Sequence, residues 1–264
     1  MFDSGVGGMT VARSIMDDLP NEGIVYFGDT ARFPYGPRSL TEIRGFAVQI
    51  ARHLVDQDVK LIVVACNSAT AAALDEVAAA VPLPVVGVIE PAVRAAVRAT
   101  RTRRVGLIGT KATVSSGAYQ RSFEAIAPEL EVLAQPCPLF VEFVERGDTT
   151  SPALMRAASE YLEPLQEAGV DTLILGCTHY PLLRGAIRHV MGPDVLLISS
   201  ADETASDVYE ILSSKGLLAD GGGRPAHRFE SSGDPSPFTE LGRRFLAREF
   251  PGAVYVSLAQ TMER

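Results

Sequence analysis

A chain of 264 residues with 47% hydrophobic and 21% charged side chains can bury one large core or two smaller ones, which excludes a disordered protein. Its formal net charge of −8 excludes a protein whose main task is gripping phosphate backbones, since such proteins carry basic patches. Only three cysteines occur, at irregular spacing, which excludes a disulfide framework and points to free thiols in a reducing cytoplasm.

In chain order, predicted strands cover 23–29 (GIVYFGD), 60–66 (KLIVVAC), 83–90 (LPVVGVIE), 103–110 (RRVGLIGT), 130–137 (LEVLAQPC), 171–177 (DTLILGC), 194–200 (DVLLISS) and 253–257 (AVYVS). They are short and uniformly apolar, as strands covered by helices on both faces are. Helical patterns fill 39–57, 151–169 and 201–218, with Ser39 and Ser151 at N-cap positions and Gly169 at a C-cap position. The stretch 219–238, rich in Gly, Pro and Ser, reads as a surface connection. This alternation predicts an α/β fold of parallel sheets. No apolar run reaches the ~18 residues of a membrane span. The start MFDSGVGG lacks the basic and apolar regions of a secretory signal. The GVGG within it has no following GK[ST], so it is a weak phosphate-loop signal.

The chain also reads as two related halves. Cys66 and Cys177 lie 111 positions apart, and PVVGVIEPA (84–92) and VLLISSADE (195–203) keep the same separation. FDS (2–4) and IGT (108–110) each end a strand in a hydroxyl residue. A constant offset of this kind indicates an internal duplication. Ligands bind at the carboxyl ends of strands in open α/β sheets, so two such sheets facing each other bring both cysteines to one cleft.

Each of the two cysteines ends an apolar strand and enters a polar turn. After Cys66, Asn67 or Ser68 is placed to cap a helix starting near Ala69, and a thiol at a helix N-terminus has its thiolate favoured. Cys137, between two prolines and with no helix start, reads as structural. A Cys66–Cys177 disulfide or redox switch is one alternative, although the CxxC spacing is missing. Metal binding is another, but Cys66, Cys177 and His179 are three ligands without paired spacing, and no metal is expected. Acid–base chemistry on the two faces of one carbon is the third, because a thiol serves both as acid and as base near neutrality.

The motifs DSGVGG (3–8), GDT (28–30), PYG (34–36), ACNSA (65–69), GTKATVSSGAY (109–119), VERG (144–147) and LGCTHYPLL (175–183) together resemble the glutamate racemases of the cofactor-independent aspartate/glutamate racemase superfamily. The resemblance runs over essentially the whole chain. It implies interconversion of L- and D-glutamate without pyridoxal phosphate or any other cofactor, supplying D-glutamate for peptidoglycan. It implies two pseudo-symmetric α/β domains, residues 1–91 with 203–264 and residues 92–202, with the active site in the cleft between them. By the same resemblance Cys66 and Cys177 are the catalytic acid/bases, Cys66 serving D-glutamate and Cys177 serving L-glutamate. Asp3 and His179 assist one thiol each. A charged carboxylate would raise a neighbouring thiol's pKa, so Asp3 is read as orienting Cys66 or relaying its proton, whereas His179 can favour a thiolate. The two thiols are therefore expected to differ in acidity. Asp3, Ser4, Tyr35, Gly36, Asn67, Ser68, Thr110, Thr113, Thr178 and His179 match substrate-binding positions, with Asp29 and Glu145 as an electrostatic support.

One departure stands out. Only Met1 and Phe2 precede Asp3, whereas the family has several apolar residues there, so a central strand is nearly absent and Asp3 and Ser4 are expected to fray. Residues missing from the start are the expected explanation. The expected partner is glutamate, with neither nucleic acid nor membrane, and a homodimer is compatible with the sequence. The alternatives are an aspartate or other amino-acid racemase, or a protein of this fold acting as a binding inhibitor, for example of DNA gyrase. Aspartate racemases of the superfamily carry Glu after the second Cys-Thr, so His179 favours glutamate, and two retained cysteines favour catalysis.

Overall fold

The computed structural model describes residues 1–223, 225–246 and 250–258. Two parallel sheets organise the chain. The first is built from β1 (Phe2–Asp3), β2 (Ile24–Gly28), β3 (Ile62–Val64), β4 (Val85–Gly87), β9 (His227–Ser231) and β10 (Ala253–Tyr255), in the order β10-β9-β2-β1-β3-β4. The second comprises β5 (Arg104–Gly109), β6 (Glu131–Pro136), β7 (Thr172–Gly176) and β8 (Leu196–Ser199), in the order β6-β5-β7-β8. The run β2-β1-β3-β4 therefore repeats as β6-β5-β7-β8, with β3 and β7 equivalent. This is the topology that the offset of 111 between the cysteines implies.

Side-chain alternation explains the apolar strands. Tyr26, Val63 and Val86 pack on one face of the first sheet with α1 (Met9–Asp18), α10 (Ser200–Ser214) and α11 (Pro235–Leu246). Phe27, Ile62 and Val64 pack on the other with α2 (Leu40–Val55) and α3 (Asn67–Ala80). In the second sheet Leu173 and Leu175 face α8 (Pro152–Glu167) and α9 (Arg184–Met191). Leu107 and Ile174 face α4 (Ile89–Ala99) and α6 (Ala118–Ile126). With both faces covered, no position in a central strand can be polar without a partner. Helix ends follow their chemistry. Ser39 and Glu42 form a reciprocal capping box on α2, Ser151 accepts from the Leu154 N–H, and Gly169 takes φ +69° just past α8.

Three expectations need correction. The stretch 219–238 is not a surface connection throughout: it contains β9, paired with β2 from Ile24↔His227 to Gly28↔Ser231, and the start of α11. Its polar side chains hid it. Glu230 is buried and bonded to His53 Nε2 (2.8 Å), Gln57 Nε2 (3.0 Å) and Arg228 Nη2 (2.8 Å), a network that replaces the apolar signature of a strand. A helix does start after Cys137: α7 (Leu139–Glu145) begins behind Pro138, and Pro tolerates the first turn. Asp3 and Ser4 are buried rather than frayed. β1 is only two residues long but central, with Phe2 paired to both Phe27 and Val64 and the Asp29 N–H donating to Asp3 O.

The chain crosses from the first sheet to the second through α4 and returns through α10. These two helices pack on each other, and the Arg94 Nη2 reaches both Asp207 carboxylate oxygens at 2.5 Å. No helix among the described residues is long and apolar enough to cross a membrane.

Candidate active site

The carboxyl ends of β1, β2, β3, β5, β6 and β7 surround a cavity of about 530 Å³. Cys66 (5% exposed) and Cys177 (6% exposed) both line it, one from each sheet. Of the other predicted site residues, Ser4, Tyr35, Gly36, Asn67 and Ser68 line it from the first sheet's loops. Thr110, Glu145, Thr178 and His179 line it from the second sheet's loops. Asp3, Asp29 and Thr113 lie behind this wall and act on residues that form it.

Cys66 is itself the N-cap of α3, in extended conformation, so the helix begins at Asn67 and not near Ala69. Asn67 and Ser68 make no cap bond because their side chains turn toward the second sheet. Ser68 Oγ lies 2.9 Å from Thr110 Oγ1 and 3.2 Å from Thr113 Oγ1, and the Tyr119 hydroxyl donates to Asn67 Oδ1 at 2.7 Å. The helix N-terminus does not leave the thiol acidic. Burial pushes Cys66 up, the Asp3 carboxylate adds to this, and the N–H groups of Ala69 and Ser4 offset only part. Its sulfur also lies 3.9 Å from Ser4 Oγ. The expected thiolate preference from the helix dipole is thus outweighed by desolvation and the carboxylate. Cys66 is a protonated acid in this pocket.

Around Cys177 the company differs. His179 Nδ1 is 3.9 Å from Cys177 Sγ, and His179 Nε2 is 2.7 Å from Glu145 Oε1. Burial opposes a charge on this imidazole, but its bonds to Cys177 and Glu145 raise it to about 10. A buried cation is therefore held next to the second sulfur. Asp3, read as the partner of Cys66, accepts from Gly5 N at 2.9 Å and from Thr178 Oγ1 at 3.4 Å. It ties the two halves together while acting on Cys66 through its charge.

The DSGVGG motif has a steric reason. A Cβ on Gly7 would stand 2.4 Å from His179 Nδ1 and from Thr178 Oγ1, so only glycine lets the first β–α turn meet the second cysteine loop. Tyr35 is fixed by donating to Asp29 Oδ2. Asp29 also accepts from Arg32 Nε (2.6 Å) and Ser232 Oγ (2.8 Å). Burial and Asp29 push the Tyr35 phenol up, so it stays a donor.

Residues that the sequence reading did not single out complete the cavity: Phe33, Pro34, Pro37, Lys111, Pro138, Val141, Glu142 and Arg146. Lys111 and Arg146 bring positive charge to the rim of an acidic protein. Both sit inside quoted motifs, GTKATVSSGAY and VERG, so position within a motif was the available signal. Tyr119, behind Asn67, ends the first of these. No group of three or more His, Cys, Asp or Glu among the described residues could hold a metal ion. The cavity offers two buried sulfurs from separate sheets, amide and hydroxyl donors, and one imidazolium. Such a set can move a proton on and off one carbon while donors hold carboxylate oxygens.

Comparison with known proteins points the same way. The family described as Asp/Glu/hydantoin racemase matches residues 10–208. A glutamate racemase of Beutenbergia cavernae is 53% identical over 261 residues, covering 94% of this chain and 89% of that protein. Among solved structures, glutamate racemase isoform RacE1 from Bacillus anthracis superposes with a TM-score of 0.93 at 42% identity, covering 97% of this chain and 96% of the other. The glutamate racemase from Francisella tularensis subsp. tularensis SCHU S4, solved in complex with D-glutamate, gives 0.92 at 39% identity, with 98% and 96% covered.

Proposed function

The chain belongs to the Asp/Glu/hydantoin racemase family, and from that membership we infer that it interconverts L- and D-glutamate by proton transfer between two cysteine thiols. It is an amino-acid racemase, an isomerase acting on a small-molecule substrate without a cofactor, and it provides D-glutamate for peptidoglycan. Residues 1–91 with 203–264 form one domain in this reading and residues 92–202 the other, with the substrate in the cleft between them. The activity belongs in the cytoplasm, and a homodimer is compatible with it.

The observation that carries the mechanism is the entry of Cys66 and Cys177 into one buried cavity from equivalent strand ends. With L-glutamate, the Cys177 sulfur takes the α-proton, the Cα–H bond breaks and its electron pair moves into the α-carboxylate. Cys66 then gives its proton to the opposite face and is left as thiolate. With D-glutamate the roles reverse. The protonated state of Cys66 suits it as acid in the first direction, and the His179 imidazolium suits the neighbour of a sulfur that must carry negative charge. The Asn67 amide, the hydroxyls of Ser4, Ser68, Thr110 and Thr178, and the free N–H groups of α3 support the carboxylates as charge builds on them. Asp3 orients the Cys66 side, Asp29 fixes Tyr35 beside Gly36, Thr113 backs Thr110 and Glu145 holds His179.

Circular dichroism of L-glutamate with purified protein and no added cofactor tests the reading: the signal should decay to a racemic endpoint. Decay with aspartate and not with glutamate would move the assignment to aspartate racemase. C66A and C177A should each lower kcat by about 10³-fold or more. Near-normal turnover by either variant would sink the two-thiol mechanism.

A further inference from the structure

We propose that Tyr119 is a positioning residue that sets the polarity of Asn67, so that Asn67 meets the substrate as a hydrogen-bond donor and selects a carboxylate oxygen. The inference rests on the racemase reading and concerns how the site discriminates its ligand.

Asn67 is 2% exposed and Tyr119 fully buried. The Tyr119 ring belongs to the apolar cluster under the second sheet, with Leu107, Phe123 and Ile174. Its hydroxyl lies 2.7 Å from Asn67 Oδ1. An asparagine amide has an oxygen that accepts and a nitrogen that donates, and its two orientations differ by a flip. A phenol has one proton. If the amide were turned over, Nδ2 would donate to the phenol oxygen and the phenol proton would lack an acceptor inside an apolar cluster, which is costly. Burial and the neighbouring Cys177 push the Tyr119 phenol up, so that proton is always present. The amide is therefore locked with its oxygen on Tyr119.

The consequence falls on the other end of the amide. Asn67 Nδ2 is buried and has no partner, while Asn67 lines the cavity. An unpaired buried donor at a ligand site favours a ligand that accepts, and a carboxylate oxygen only accepts. A ligand with an amide N–H there would meet a second donor. Asn67 stands on α3 of the first sheet and Tyr119 on α6 of the second, so the lock exists only while both halves are together.

A double-mutant cycle tests this. KM and kcat for L-glutamate are measured in the wild type, Y119F, N67A and the double variant, and glutamate binding is measured by calorimetry on the same set. Y119F should raise KM and Kd about five-fold, the worth of one net hydrogen bond, with kcat within about two-fold. Adding Y119F to N67A should change neither constant further, because Tyr119 acts only through Asn67. Effects that multiply in the double variant would overturn the inference, as would a Y119F that loses kcat at unchanged KM. If the wild type binds glutamate without racemising it, the racemase reading fails while the calorimetric cycle still decides on Tyr119. If the wild type acts on aspartate, the cycle is run on aspartate. Should Y119F not fold, the wild-type Asn67 side-chain amide resonances decide: a shift on adding glutamate supports the lock, and no shift overturns it.

Discussion

Cys66 is held as an acid by burial and a carboxylate, whereas His179 beside Cys177 is held as a cation, and this asymmetry gives a pH prediction. The imidazole is raised from 6.5 to about 10, with burial opposing and Cys177 and Glu145 prevailing. A group raised on folding contributes its full stability below pH 6.5 and loses it as pH rises through about 10. Urea unfolding should therefore show falling stability between pH 7 and 10, and E145Q should flatten that slope. In a kcat/KM profile for L-glutamate, E145Q should move the alkaline fall about one unit lower, the worth of one charge-assisted bond. Much of the site was legible in the sequence at this scale. A cysteine at the end of an apolar strand, twice, is a pattern that spacing alone exposes. The start of α3 departs from its local signal: Asn67 and Ser68 are good caps by type, yet their side chains are engaged by Tyr119, Thr110 and Thr113. Competition from a tertiary partner is not visible in a local window.

Among the secondary-structure elements, two glycines make opposite predictions. Gly7 sits where the first turn touches the second cysteine loop, with 2.4 Å between a would-be Cβ and both His179 Nδ1 and Thr178 Oγ1. G7A should push that loop away and lower kcat about a hundredfold, measured by dichroism, while the protein stays folded. Gly45 lies exposed inside α2, and a Cβ there meets nothing within 4 Å. G45A should raise stability by about 0.8–1 kcal/mol in urea unfolding, with activity unchanged. Apolar strands and capped helices were readable because local chemistry dictates them. β9 was not, because its buried Glu230 is satisfied by His53 of α2 and by Gln57 just past its end, more than 170 residues away in sequence. α7 is hidden because the prolines flanking Cys137 read as a break, when Pro138 caps the helix.

For the whole molecule, the two halves are joined by α4 and α10, with the Arg94–Asp207 pair between them. Both side chains are partly open to solvent, so the pair is screened and contributes modestly. D207N should lower stability by about 0.5–1 kcal/mol at low salt, and the difference from wild type should vanish near 1 M salt. An unchanged difference at high salt would mean that packing rather than charge links the helices. The duplication was readable from the constant offset. The return of the chain's end to the first half was implied only by the family resemblance, and nothing local in β2 announces that β9 will lie beside it. That pairing has a consequence for how the protein is made. The second sheet is contiguous and has all four strands once residue 199 has been synthesised. The first sheet has an open edge at β2 until residue 231 arrives. On the ribosome, then, the half that begins the chain is the last to close. Until then an unfinished chain presents the bare edge of β2 to chaperones.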